Sequence, residues 1–165
     1  MRALKFNASG AANNDISGPN GVVTSGRWLF VTDGGSRVVS IDLTTDAIVD
    51  TVHTSASANR SDELAYDPQD GILLVVNNAD SPPFATLISV NKSNGHLTLG
   101  ARITFDQAHA GFDATNGAEQ PVWNKDTGKF YLSIPEANCT AGPECGGAGS
   151  STGEPPESIH TARAV

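Results

Sequence analysis

The feature that most constrains the fold of this chain is a repeated strand pattern. Three segments share one order: an inner strand, a turn that carries Asp or Asn, and a more apolar second strand. These segments are Gly21 to Asp33, Glu63 to Asn78 and Gln120 to Glu136. When Leu29, Leu73 and Phe130 are aligned, the repeats are spaced by 44 and 57 residues, and an insertion at 106–117 accounts for the longer spacing.

A period of roughly 40 to 50 residues, with four short strands in each unit, is typical of β-propeller blades. In the first two units the pattern continues with third strands at Arg37 to Leu43 and Ala85 to Asn91, and with fourth strands at Ile48 to Val52 and His96 to Phe105. The sequence therefore predicts an all-β fold, a partial β-propeller of about two and a half four-stranded blades.

The pattern also predicts which strands are central and where the repeats end. We expect the second strands to be buried within their sheets, at Arg27 to Thr32, Ile72 to Val76 and Lys129 to Ser133. An N-terminal segment at 1–17 precedes the blades at 18–136, and a tail rich in Gly, Pro and Ser follows at 137–165. Because the tail shows no apolar alternation, we expect no strand in it and a truncated third blade.

Composition excludes several classes of function. The net charge is -8 and the ten Lys and Arg residues are scattered, so the chain is not expected to bind nucleic acid. No apolar run approaches the roughly 18 residues that a membrane helix needs, and we expect no membrane association. The two cysteines, Cys139 and Cys145, are predicted either to form a small disulfide loop or to remain free thiols, and they lack companions for zinc.

Three motifs carry a resemblance to a known family: RSDELAYDP at 60–68, NNADSPPF at 77–84 and NGAEQPVW at 116–123. They resemble a bacterial family of exported propellers of the YVTN or NHL-repeat type. The resemblance implies a ring with more blades than this chain supplies, preceded by an export signal. Met1 to Ser17 lacks the apolar core of such a signal, so the sequence leaves localisation open.

More distantly, the arrangement is similar to the calcium-dependent propeller lactonases, the gluconolactonase, regucalcin and paraoxonase group. That similarity implies a Ca²⁺ ion at the mouth of the channel, held by oxygen ligands at the beginnings of the inner strands. The candidate ligands are Asn20, Glu63, Asn78 and Glu119, with Asp33, Asn77 and Asp80 as further oxygen donors on the same face. Asp62 and His109 are the candidate catalytic residues, because either one could activate water beside a metal-bound ester.

Two functions from different classes follow from these observations. One is a calcium-dependent hydrolase that opens a lactone ring, of the sugar lactone or N-acyl-homoserine lactone type. The alternative is a non-catalytic β-propeller that binds or scaffolds, in which the acidic residues form only a solvated rim. In either case we expect the chain to form homo-oligomers, because a severed ring leaves blade faces open at both flanks.

Overall fold

A computed structural model describes residues 15, 16, 18–139 and 159–162 of the chain. The regular secondary structure of these residues consists of antiparallel strands, with no helix. The part of the chain that the structure describes accordingly holds no helix with the length and apolar character needed to cross a membrane. The prediction of an all-β fold is confirmed.

The strands form three antiparallel sheets. The first sheet has the order β1 (Val22–Ser25), β2 (Trp28–Asp33), β3 (Arg37–Asp42) and β4 (Ala47–His53). The second repeats this order with β5 (Leu64–Asp67), β6 (Ile72–Asn77), β7 (Phe84–Val90) and β8 (Leu97–Thr104). The third contains β9 (Glu119–Asn124) and β10 (Lys129–Ser133), and β11 (Ile159–Ala162) pairs with the free edge of β10.

The second strand of each sheet is central, as the sequence predicts. β2 lies between β1 and β3, β6 lies between β5 and β7, and β10 lies between β9 and β11. Successive side chains of a strand point to opposite faces, so a strand between two packed sheets must be apolar at every position. Leu73, Leu74, Val75 and Val76 in β6 meet this condition, because all four are fully buried.

The two faces of β6 belong to two different cores. Leu73 and Val75 pack with Trp28, Phe30 and other residues of the first sheet. The alternate residues of β6 pack against the third sheet, in a cluster that includes Leu74, Val76, Phe130 and Leu132. Each such side chain contributes about 1.5–3 kcal/mol by leaving water. The second sheet therefore serves as the middle layer of the fold.

The sheets are stacked so that equivalent strands are neighbours. β1 contacts β5, β5 contacts β9, and β4 contacts β8. The backbone N–H of Gly21 donates to the Asp62 carbonyl at 3.1 Å, which ties the entry to β1 to the entry to β5. This stacking brings together the residues that precede the first strands of the sheets, and the candidate site lies there.

The tail differs from its expected structure. The sequence predicts no strand after residue 136, but β11 pairs with β10 in antiparallel register. The free edge of β10 offers unpaired backbone groups, and an extended segment with two β-branched residues, Ile159 and Thr161, can satisfy them. Cys139 is disulfide-bonded, which decides against the free thiols. Its predicted partner, Cys145, lies outside the described residues.

Candidate functional site

Three carboxylates that the sequence places at strand entries lie close together. Asp62 and Glu63 immediately precede β5, and Glu119 is the first residue of β9. The backbone of the β5 entry is fixed by two hydrogen bonds to β6, from the Asp62 N–H to the Val76 carbonyl at 2.7 Å and from the Val76 N–H to the Glu63 carbonyl at 2.9 Å. Because β5 and β9 are neighbours, the carboxylates meet between the second and third sheets.

Asp62 is a buried carboxylate that is already paired. Its side chain accepts a hydrogen bond from Asn20 and lies 3.0 Å from the Arg60 guanidinium. Burial raises the pKa of Asp62, the charge of Glu119 raises it further, and Arg60 opposes the shift. Since the residue is only 3% exposed, a substrate has little access to its carboxylate. Asp62 is better placed to orient its neighbours than to contact a ligand.

Glu63 is more accessible and experiences the other two carboxylates directly. Burial raises its pKa, and the charges of Glu119 and Asp62 add to the effect. A hydrogen bond from the Gln120 backbone N–H acts in the opposite direction. The result is a carboxylate that binds its proton more tightly than an exposed glutamate does.

Glu119 is positioned by an irregularity at the start of β9. The pairing of β9 with β10 shifts register between Tyr131 and Ser133, and Gln120 has a φ of 48° in the left-handed region. A bulge of this kind redirects the neighbouring side chains. Asn78 Nδ2 donates to Glu119 Oε1 at 3.0 Å, so the second sheet holds this carboxylate in place.

The contact between Asn78 and the β9 entry also depends on a glycine. Gly117 has a φ of 78°, and a Cβ atom there would lie 3.2 Å from both the Cβ and the carbonyl oxygen of Asn78. A side chain at this position would meet the Asn78 backbone and strain its own. The glycine therefore lets the 106–117 insertion lie directly against the second sheet.

These elements enclose a cleft of about 530 Å³ between the second and third sheets. Its walls come from the loop after β6, from the insertion and from the β9 entry. Among the described residues, four acidic side chains line it and no Lys, Arg or His does; the four are Asp15, Asp80, Asp113 and Glu119. Phe105, Pro82 and Pro83 supply apolar surface. The cleft therefore combines a negative potential with a volume suited to a small organic molecule.

His109 does not join this arrangement. Its side chain is 67% exposed, and its Nδ1 lies 2.7 Å from Asp106 Oδ1 within the same loop. The hydrogen bond from His109 lowers the pKa of Asp106. Neither candidate catalytic residue, His109 or Asp62, is among the residues that line the cleft.

Three of the four candidate metal ligands, Asn20, Asn78 and Glu119, belong to two hydrogen-bonded side-chain pairs, and the fourth, Glu63, belongs to neither pair. Asn20 binds Asp62 through its amide nitrogen, and Asn78 binds Glu119 in the same way. Among the described residues, no group of three or more His, Cys, Asp or Glu side chains is arranged to hold a metal ion. The carboxylates of Asp62, Glu63 and Glu119 each accept a hydrogen bond from a protein donor. Ca²⁺ takes about six to eight oxygens, so these side chains would have to exchange their present hydrogen bonds for contacts with the ion in order to bind it.

Sequence reasoning missed some of the residues that line the cleft. Asp113 lies in the insertion, and Asp15 precedes the first repeat, so neither shares a position with the strand entries. Asp33, considered as a further donor, instead pairs with Arg37 beside it. The length of the insertion was the one available signal, because long loops on a rigid scaffold often line binding sites.

Comparison with known proteins assigns no family to the chain. The sequence matches no family model and no curated protein.

Proposed function

We propose that the three sheets are successive blades of a β-propeller, and that the chain is a non-catalytic binding module whose acidic cleft takes a small organic cation. The propeller assignment is supported by the repeated strand order and by the side-by-side first strands. It is also supported by β6, which is apolar on both faces as an internal blade requires.

The observation that carries the binding function is the charge of the cleft. In the part of the chain that the structure describes, four acidic residues and no basic residue surround about 530 Å³. A cleft lined by charge of one sign concentrates ligands of the opposite sign. An organic cation suits this space better than a bare metal ion, because the carboxylates do not converge on one point and because Phe105 and the two prolines offer apolar contact.

Isothermal titration with spermidine at low ionic strength tests this proposal. We expect binding that weakens as salt is added, because charged groups near the surface are screened. Asp113→Asn and Glu119→Gln should each weaken binding about two- to fivefold, the range expected for one partly exposed charge pair. Asp126→Asn is the matched control, since this exposed carboxylate lies in the turn of the third sheet, away from the cleft.

Two results would overturn the proposal. The first is the absence of spermidine binding to the wild-type chain at millimolar concentration. The second is an equal loss of affinity in Asp126→Asn and in the cleft variants, which would indicate that spermidine responds only to the net charge of -8.

Calcium-dependent lactone opening is the second candidate, and the resemblance implies it. The mutual electrostatic interaction of Asp62, Glu63 and Glu119 favours it, because neighbouring carboxylates supply the oxygen ligands that Ca²⁺ prefers. This candidate predicts hydrolysis of gluconolactone or an N-acyl-homoserine lactone that excess EDTA abolishes. It also predicts that Glu63→Gln and Glu119→Gln each weaken Ca²⁺ binding more than about tenfold. If the chain hydrolyses a lactone and EDTA abolishes that activity, the chain is a lactonase and the proposal of a non-catalytic binding module is wrong.

A further inference from the structure

A set of polar side chains joins the first and second sheets beside the cleft. We call it the polar bridge, and its members are Ser36, Thr54, Asn59, Ser61 and Asn77. Ser36, Ser61 and Asn77 have no exposed surface, and Thr54 is 5% exposed. A buried polar group that loses its partner is costly, so each hydrogen bond of the bridge restricts the orientation of the groups it joins.

Asn77 is the centre of the polar bridge. Its Nδ2 donates to Ser36 Oγ at 3.2 Å and to Asp80 Oδ2 at 3.1 Å, and its Oδ1 accepts from Thr54 Oγ1 at 2.7 Å. Both amide protons are therefore used, and the orientation of the amide is determined. A flipped amide would direct Oδ1 toward the Asp80 carboxylate, where two acceptors would face each other.

The first sheet holds the other end of the polar bridge. Ser36 has a φ of 53°, and the Thr54 N–H donates to its carbonyl at 2.8 Å. The Ser36 N–H donates to the Asn59 carbonyl at 2.6 Å. Asn59 Nδ2 in turn donates to the carbonyl of Ala79 at 2.8 Å. Ala79 and Asp80 both line the cleft, so two successive residues of its wall accept hydrogen bonds from members of the polar bridge.

We propose that Asn77 is a positioning residue for ligand binding: through the polar bridge it fixes Asp80 in the wall of the acidic cleft and makes cleft geometry depend on the packing of the first sheet. The inference rests on the proposed function, because it assigns Asp80 a share in recognising a cationic ligand. Asn77 itself does not line the cleft. Its contribution is to hold the Asp80 carboxylate in one orientation before the ligand arrives, which reduces the cost of binding.

Side-chain hydrogen exchange tests the polar bridge without any ligand. In NMR spectra of the full chain, the Asn77 side-chain amide should exchange about tenfold or more slowly than that of Asn94, an exposed turn residue. Asp80→Asn should accelerate the exchange at Asn77. Equal exchange rates for Asn77 and Asn94 would overturn the inference.

Spermidine titration tests the positioning role. Asn77→Ser should weaken spermidine about three- to tenfold, the worth of one net hydrogen bond, and the matched control Asn94→Ser should leave affinity unchanged. If the wild-type chain does not bind spermidine, the proposed function fails while hydrogen exchange still decides on the bridge. If the wild-type chain and Asn77→Ser bind spermidine equally well, the positioning role of Asn77 is wrong, whereas the proposal that the acidic cleft binds an organic cation is unaffected.

A charge exchange separates positioning from general stability. Asn77→Asp places two carboxylates at hydrogen-bonding distance, so it should lower both the urea midpoint and spermidine affinity. Adding Asp80→Asn restores an amide–carboxylate pair with reversed direction, and the urea midpoint should recover. The affinity of this double variant for spermidine should stay weak, because its carboxylate lies at position 77, which does not line the cleft. Recovery of affinity together with stability would show that Asn77 acts only through folding.

Discussion

Replacing Gly95 with alanine tests how the first two sheets pack together. Gly95 ends the turn between β7 and β8, with a φ of 76°. A Cβ atom there would lie 2.8 Å from the Cε3 and Cζ3 atoms of Trp28, in the first sheet. The indole cannot easily move away, because its Nε1 donates to the Lys92 carbonyl at 2.9 Å. Alanine should therefore introduce both a strained backbone and an inter-sheet clash.

Gly128 provides a matched control for the backbone strain. Both glycines end a five-residue turn that begins with Asn, and in both turns the glycine N–H donates to that Asn carbonyl, at 2.7 Å for Gly95 and 3.0 Å for Gly128. Gly128 has a φ of 62°, but a Cβ atom there would have no neighbour within 4 Å. The two substitutions thus share the cost of the left-handed conformation, and only Gly95→Ala adds the clash.

The expected costs follow from these contacts. The left-handed conformation costs about 1–2 kcal/mol for an alanine. The clash with Trp28 adds about 1–3 kcal/mol, the usual cost of overpacking a well-packed core. We expect Gly128→Ala to lower the free energy of unfolding by about 1–2 kcal/mol and Gly95→Ala by about 2–5 kcal/mol. Urea denaturation followed by tryptophan fluorescence measures both. Equal losses would mean that the indole does not pack on this turn in solution.

Two further predictions concern charge and assembly. Because burial raises the pKa of Glu63 in the folded chain, its ionised form costs stability at neutral pH, and the cost disappears as the pH falls below the ordinary value. The urea midpoint of Glu63→Gln should therefore exceed that of the wild type at pH 7 and equal it at about pH 4. A lower midpoint for the variant at pH 7 would contradict this prediction. Val22 in β1 and Val122 in β9 are exposed hydrophobic residues, at 62% and 56%, so light scattering should show self-association at micromolar concentration. A monomer at every concentration would refute this prediction.

The sequence was most informative where burial demands a pattern. β6 reads as a continuous apolar run between two turns, and this is the composition of a strand that is covered on both faces. β9 alternates intermediate and exposed residues because only one of its faces meets another sheet. Strand positions and their order could therefore be predicted. The pairing of β11 could not, because a short polar segment pairs wherever an open edge lies nearby.

The candidate site was predictable only in part, for a related reason. Asp62, Glu63 and Glu119 were expected to meet because all three stand at first-strand entries, and strand direction decides which end of the sheet they occupy. The conformation of the 106–117 insertion cannot be deduced from strand direction in this way. His109 and Asp113 are four residues apart, yet only Asp113 lines the cleft. Sequence position alone could not distinguish them.

The partners of the carboxylates matter more for function than the carboxylates themselves. Acidic residues at converging strand entries favour a metal site only if no protein donor forms hydrogen bonds with their oxygens. The sequence does not show whether such donors are present. Here the amide nitrogens of Asn20 and Asn78, two residues counted as oxygen donors, point toward the carboxylates of Asp62 and Glu119. An asparagine that donates its nitrogen to a carboxylate satisfies that carboxylate, whereas one that offers its oxygen to a shared cation would complete a site. The same residue types at the same positions can thus serve either purpose, and in this structure the two amides are oriented to satisfy the carboxylates.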